Sequence, residues 1–270
     1  MAVSERRWKS APSIIDFRSR PMLPFRDENP TTLAPAITIG IIALNALAWL
    51  LVQGAGFSEQ AMAHSVCNLG LVPGELLQTA PPGTAVPLSR TLACVVDPEP
   101  SYVTLITSMF LHGSWLHLIS NMWFLWVFGN NIEDAMGHVR FVVFYLICGL
   151  AAAAAQMIVT PDSAIPMVGA SGAISGVLGG YLLLYPRVRV HTLVFFGLFF
   201  TTVRMPAYIM LGYWALLQLL GGLPALAGVE GAGVAFWAHI GGFVAGLALI
   251  KLFAKPDNLR RRPVPVIHWR

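Results

Sequence analysis

The sequence predicts an all-α polytopic membrane protein, a bundle of six transmembrane helices with a long external first loop, on three observations. The 270 residues are 56% hydrophobic and only 11% charged, against about half and a quarter in soluble domains. Their mean hydropathy is +0.67. Six apolar runs approach the roughly 20 residues that cross about 30 Å of hydrocarbon at about 1.5 Å per residue. This composition excludes a soluble enzyme built around one buried core. Nor do the net charge of +4 and pI of 9.2 mark a nucleic-acid partner. Six of the 17 basic residues precede residue 30 and four follow residue 259, flanking apolar sequence, which is a topology signal.

Taken in order, residues 1–33 read as a cytoplasmic tail carrying Arg6, Arg7, Lys9, Arg18, Arg20 and Arg26. No cleavable signal pattern precedes the first apolar run, so that run is expected to stay as a span. Runs at about 35–53, 113–129, 139–158, 168–185, 206–222 and 233–253 are bounded by Pro, Gly or charge and are the six expected spans of a domain covering 34–255. Residues 256–270 read as a cytoplasmic C-terminal tail. The apolar run Val190 to Val203 is flanked by Arg187, Arg189 and Arg204. As a helix its 14 residues reach only about 21 Å, so it is expected to be a short re-entrant or interfacial segment before helix five.

With both tails inside, 16 of 17 Lys and Arg residues face the cytoplasm, Arg90 being the exception, as the positive-inside rule requires. The loop from about 54 to 112 is then external, and in it Cys67 and Cys94 either pair or remain free thiols. Together with Cys148 they show no CxxC or paired Cys/His spacing, so no metal or other cofactor is expected. No internal repeat is visible, which weakens a transporter reading.

None of the six runs carries an acid or base well inside it. The unusual polar groups are His117, Asn121, Ser171, Ser175 and His239, with Asn45 and Gln218 beside them. Singly, each has a plain structural explanation. Ser171 can be a small residue at a helix contact, the others interhelical hydrogen-bond partners, and Asn45 and Gln218 are read that way. Depth distinguishes the rest: at about 1.5 Å per residue, Ser171, His239, His117 and Asn121 fall roughly 5 to 12 Å below the outer boundary. His117 and Asn121 share one helix face. Gly172, Gly176 and Gly180 thin span four, and Gly242 and Gly246 lie on the His239 face of span six, so close approach of the two spans brings Ser171 to His239.

A serine hydroxyl becomes a nucleophile when a base takes its proton, and imidazole is the usual base near neutral pH. Ser171 and His239 supply that pair. The spans supply no carboxylate, so packing must orient the imidazole. Asn121, a His117 ring N–H and the Ser171 backbone N–H at a helix N-terminus are suitable donors for an oxyanion.

The residues that carry this chemistry stand in the stretches His112-Gly-Ser-Trp-Leu-His117-Leu-Ile-Ser-Asn121, Gly129-Asn-Asn-Ile-Glu133-Asp-Ala-Met-Gly137, Gly169-Ala-Ser171-Gly172 and Ala238-His239-Ile-Gly-Gly242 followed by Gly246. In order and spacing, from about Leu105 to Ile250, the chain resembles the rhomboid intramembrane serine proteases. The resemblance implies that Ser171 is the nucleophile, His239 the base, and His117 and Asn121 oxyanion residues. It also implies structural roles for Glu133 in the turn after span two, for the loop residue His112, and for Gly169, Gly172, Gly242 and Gly246. Two positions depart from the pattern. Ser175 stands where an aromatic often stacks on the imidazole, and no Arg occurs in Tyr102-Val-Thr-Leu-Ile106.

The implied activity is a serine endopeptidase that cuts single-span transmembrane proteins near the external face, through an acyl-enzyme and without a cofactor. Membrane lipid is the other expected partner. The alternative is a catalytically silent rhomboid-like protein that binds membrane clients, which loss of the Ser or His would mark. HExxH and paired intramembrane Asp are both absent, against metallo- and aspartyl proteases. The expected location is a bacterial cytoplasmic membrane, since Glu5, Asp16, Asp27 and Glu28 argue against an organellar presequence.

Overall fold

Each of the six apolar runs forms a helix, and what ends each helix fixes where the polar residues lie. The computed structural model describes residues 22–89, 91–196, 199–228 and 234–261. Most of the N-terminal tail, Arg90 and the end of the C-terminal tail therefore lie outside the described residues. The chain runs β1 (Met22–Asp27), α1 (Ala36–Leu47, continued by a π-helical turn to Val52), α2 (Glu59–Leu69), α3 (Pro73–Leu76), β2 (Ala85–Pro87), β3 (Ala93–Val95), α4 (Thr104–Thr107), α5 (Trp115–Met136) and α6 (His138–Val159). It continues through α7 (Ser171–Leu184), β4 (Arg189–Phe196), β5 (Phe199–Pro206), α8 (Ala207–Leu226), α9 (Phe236–Phe253) and α10 (Pro256–Arg261). The bundle is all-α and apolar: α6, α8 and α9 are long and apolar enough to cross a membrane, and α1 with its continuation and α7 are shorter apolar helices. Outward-facing Val139, Leu216, Leu220, Val244 and Leu252 are exposed, as expected where hydrocarbon replaces water around a helix.

The α7 helix is the centre of the bundle, with every residue from Gly172 to Tyr181 buried. It can be buried on all sides because its glycines remove the side chains that would hold neighbours away. A Cβ at Gly176 would meet Cys148 of α6, and a Cβ at Gly242 or Gly246 of α9 would fall on the carbonyl oxygens of Gly172 and Gly176. Around this contact Phe128, Phe141, Phe144, Tyr145 and Tyr181 fill the core.

One sequence expectation is corrected here. Glu133 is expected in the turn after span two, but α5 runs seven residues past the expected end at 129, to Met136, so Glu133 and Asp134 lie in its last helical turns. They are accommodated because they cap the start of α1: Glu133 accepts the Ile37 and Thr38 N–H groups (2.9 and 2.8 Å) and the Thr38 hydroxyl (2.7 Å), while Asp134 accepts Leu33 N–H at 2.7 Å. Helix N-termini leave such donors unpaired and favour negative charge.

The expected short re-entrant or interfacial segment before helix five takes the form of a β-hairpin. β4 and β5 pair antiparallel from Arg189↔Pro206 to Phe196↔Phe199, and β1 adds to β4 with Met22 opposite Val194 and Asp27 opposite Val190. Val190, Thr192 and Val194 are buried while His191 and Leu193 are half-buried, the period of two and β-branched content that a strand needs. The segment assigned to the N-terminal tail is thereby sewn to the bundle. Asp27 Oδ2 accepts from the Tyr181 hydroxyl of α7 at 2.6 Å and from Asn131 of α5 at 2.8 Å.

A disulfide and several hydrogen bonds hold the long first loop. A disulfide joins Cys67 of α2 to Cys94 of β3. Leu71 and Met167 exchange backbone hydrogen bonds of 2.9 and 2.7 Å, which docks the loop beside the segment leading into α7. Gln53 brackets the backbone of His112, accepting its N–H at 2.8 Å and donating to its carbonyl at 2.7 Å.

Candidate active site

Ser171 is the first residue of α7, and the backbone that delivers it is set by Gly169. At φ 132° Gly169 has a conformation that side chains rarely adopt, and its N–H is fixed on the Ser108 carbonyl at 2.9 Å. No side chain among the described residues caps α7, so the N–H groups of its first turn remain available to a ligand at the positive end of the helix. Ser175, one turn on, donates its hydroxyl to the Ser171 carbonyl at 2.6 Å. It therefore braces the helix instead of touching the imidazole.

His239 lies in the first turn of α9, and its Nε2 is 2.7 Å from Ser171 Oγ. Its other nitrogen, Nδ1, is 2.8 Å from Gln218 Oε1 of α8. An amide oxygen only accepts, so Nδ1 carries the hydrogen and Nε2 presents its lone pair to the serine hydroxyl. The Trp214 ring lies beside the imidazole, centroids 6.1 Å apart. The α9 helix is positioned from two sides: Gln156 of α6 accepts the Ala238 N–H at 3.2 Å, and Trp237 donates to the Gly222 carbonyl of α8 at 2.8 Å.

The opposite wall is α5. Its N-cap Ser114 accepts the His117 N–H at 3.1 Å, and His117 Nδ1 accepts from the Gly113 N–H at 3.3 Å, leaving Nε2 to carry a hydrogen. A Cβ on Gly169 would sit 2.8 Å from His117 Nε2 and 3.5 Å from Ser171 Oγ. The space between the Ser171 hydroxyl and the His117 imidazole is open because that side chain is missing. Asn121 Nδ2 donates one hydrogen to the His117 carbonyl at 3.0 Å and retains a second. His112 is buried edge-on against the His117 ring, centroids 5.0 Å apart. A cavity of about 690 Å³ opens here, lined among others by His117, Asn121, Gly169, Ser171, Trp214 and His239.

The structure thus brings together Ser171, His239, His117, Asn121, Gly169 and Gly172 from α5, α7, α9 and the segment before α7. Gly242 and Gly246 lie at the α7–α9 contact, and His112 lies behind His117. Glu133 is apart from them, at the start of α1. Sequence reasoning set Gln218 aside as helix glue and did not single out Gln53, Gln156 or Trp214. Gln218 carried a signal, a lone amide in an apolar run, but which helix face it occupies was not in that signal.

Residues 99–256 match the model of the rhomboid domain. The chain belongs to the rhomboid family. Rhomboids are intramembrane proteins, many of them proteases. The chain is 27% identical over 164 residues to Rhomboid-like protein 11, chloroplastic, of Arabidopsis thaliana, covering 58% of this chain and 54% of that one. It is 31% identical over 142 residues to the rhomboid protease GluP of Bacillus subtilis, covering 53% and 24%. It is 30% identical over 112 residues to Rhomboid protein 1, mitochondrial, of Saccharomyces cerevisiae, covering 40% and 32%. The chain therefore spans about half, or less, of the length of these relatives.

Proposed function

We propose that this rhomboid is an intramembrane serine endopeptidase, with Ser171 as nucleophile and His239 as base. The observation that carries the reading is the 2.7 Å contact between His239 Nε2 and Ser171 Oγ, on a tautomer already able to accept the proton. As Oγ bonds to the scissile carbonyl carbon, the hydroxyl proton passes to Nε2. The carbonyl oxygen gains charge and takes hydrogen bonds from the Ser171 N–H, His117 Nε2–H and Asn121. Collapse breaks the C–N bond, with Nε2–H protonating the leaving amine, and water then hydrolyses the acyl-enzyme by the same proton path.

The six helices α1, α5, α6, α7, α8 and α9 are read as six spans of a domain covering 34–255, both termini cytoplasmic, in a bacterial cytoplasmic membrane. The site then lies near the external face, open to water through its cavity. The substrates are single-span transmembrane proteins. A peptide bond inside a helix is shielded by its own hydrogen bonds, so cleavage favours Gly, Pro or polar residues at the outer end of the span. The resemblance to the rhomboid proteases implies a small residue just before the scissile bond.

The test is labelling of detergent-purified protein with a fluorophosphonate probe. Wild-type protein is expected to label and Ser171→Ala to remain unlabelled. Equal labelling of both overturns the reading, and wild-type protein that stays unlabelled favours the alternative of a silent client-binding protein.

A further inference from the structure

We propose that Gln218 is a positioning residue for the base, fixing the His239 imidazole in the one tautomer that can deprotonate Ser171. The inference rests on the reading of Ser171 and His239 as nucleophile and base. Both ring nitrogens of His239 are engaged, Nε2 by Ser171 Oγ at 2.7 Å and Nδ1 by Gln218 Oε1 at 2.8 Å. A neutral imidazole carries one hydrogen. If it sat on Nε2, the ring would donate to the serine and the hydroxyl proton would have no acceptor. The Gln218 oxygen favours the opposite arrangement, because an amide oxygen accepts only and so pairs with an Nδ1–H and not with an Nδ1 lone pair.

The ring is also held in place, not only in tautomer. Trp214 and Gln218 are i and i+4 on α8 and so occupy one face; the first lies beside the imidazole and the second bonds its edge. One turn beyond Gln218, the Gly222 carbonyl accepts from Trp237, two residues before His239. This ties α8 and α9 together next to the contact. When Nε2 takes the proton, the Nδ1–H···O bond becomes charge-assisted and shortens. Gln218 thereby supplies the orienting part of a triad carboxylate's role without placing a second charge in the bundle. Ser175, which is turned onto the Ser171 carbonyl, cannot supply it.

The experiment compares wild type, Gln218→Met and Gln218→Glu in detergent, reading kcat and KM on a model single-span substrate, the rate of fluorophosphonate acylation, and Tm. Gln218→Met keeps the length and removes the acceptor. It is expected to lower kcat and the acylation rate about 10- to 100-fold, with KM and Tm essentially unchanged. Gln218→Glu keeps an acceptor oxygen and is expected to restore most of both rates. Acylation of Gln218→Met at the wild-type rate overturns the proposal. So does a Gln218→Glu variant as slow as Gln218→Met, which is the outcome if the amide presents its N–H to the ring. A loss of Tm that tracks the loss of rate in both variants assigns Gln218 to helix packing and also overturns it. Failure of the dyad reading is a different result, since it appears as full labelling of Ser171→Ala whatever the Gln218 variants do.

Discussion

Gly242 of α9 lies so close to Gly172 of α7 that a Cβ on Gly242 would fall on the Gly172 carbonyl oxygen. Gly172 follows Ser171 directly, and Gly242 is three residues beyond His239 on the same helix face, so this backbone contact sets the spacing of the two side chains. Gly242→Ala is expected to push the helices apart and lower acylation by about 100-fold, the scale of a misplacement near 1 Å. It also destabilises by about 1 to 3 kcal/mol, as an overpacked contact does. Probe kinetics and thermal melting on one sample check both; wild-type acylation in this variant contradicts the account.

Ser171→Ala and His239→Ala are each expected to lower cleavage of a single-span substrate by more than about 1,000-fold, with the double variant no worse, because the groups act as one unit. Additive losses in single-turnover assays would contradict that unit. Ser171→Ala keeps the small-residue packing and is expected to melt as wild type does.

Gly169→Ala puts a methyl into the gap between His117 Nε2 and Ser171 Oγ, at a backbone φ of 132°. Turnover is expected to fall by about 100-fold. Asn121→Ala and His117→Ala remove one donor of several and are expected to lower turnover by roughly 10- to 1,000-fold without abolishing it. Product quantification at saturating substrate tests all three, and a variant that cuts at the wild-type rate has only a packing role.

Glu133→Ala strips acceptors from two N–H groups and a hydroxyl at the start of α1. The expected effect is a loss of about 2 to 4 kcal/mol, seen as a lower Tm, since Glu133 touches no residue of the site. Unchanged melting with lost cleavage contradicts the assignment.

The Cys67–Cys94 bridge closes a loop with a sequence separation of 27, for which chain entropy predicts about 3.5 kcal/mol of stabilisation. A Cys67→Ser/Cys94→Ser variant is expected to melt lower than wild type and to be indifferent to dithiothreitol, which brings wild type down to the same Tm. Cys148 is buried and adds no response.

The Ser171–His239 pairing was legible because polar side chains in apolar runs need partners and the depth of each run limits the choice. The β4–β5 hairpin was not read. Fourteen apolar residues between arginines have the same composition as a short helix, and only the alternation of Val190, Thr192 and Val194 distinguishes a strand. Glu133 and Asp134 likewise resembled a turn, since the donors that admit them into α5 belong to α1, about a hundred residues earlier. Gln218 was visible as an oddity. Its partner depended on how α8 is rotated, and a run apolar on every side leaves that rotation undetermined.

The strand β1 has its partner far downstream: Met22 pairs with Val194, about 170 residues later. At roughly 5 to 20 residues per second, a ribosome needs about 10 to 30 s to make that partner after Met22 emerges. Through that interval Met22–Asp27 has been made but has no edge to join, and Asp27 waits likewise for Tyr181. Closure of this end of the molecule is therefore a late event in biosynthesis, after the segment carrying the serine has been made. A truncation that starts the chain beyond Asp27 removes this late closing step while leaving Ser171, His239, His117 and Asn121 encoded.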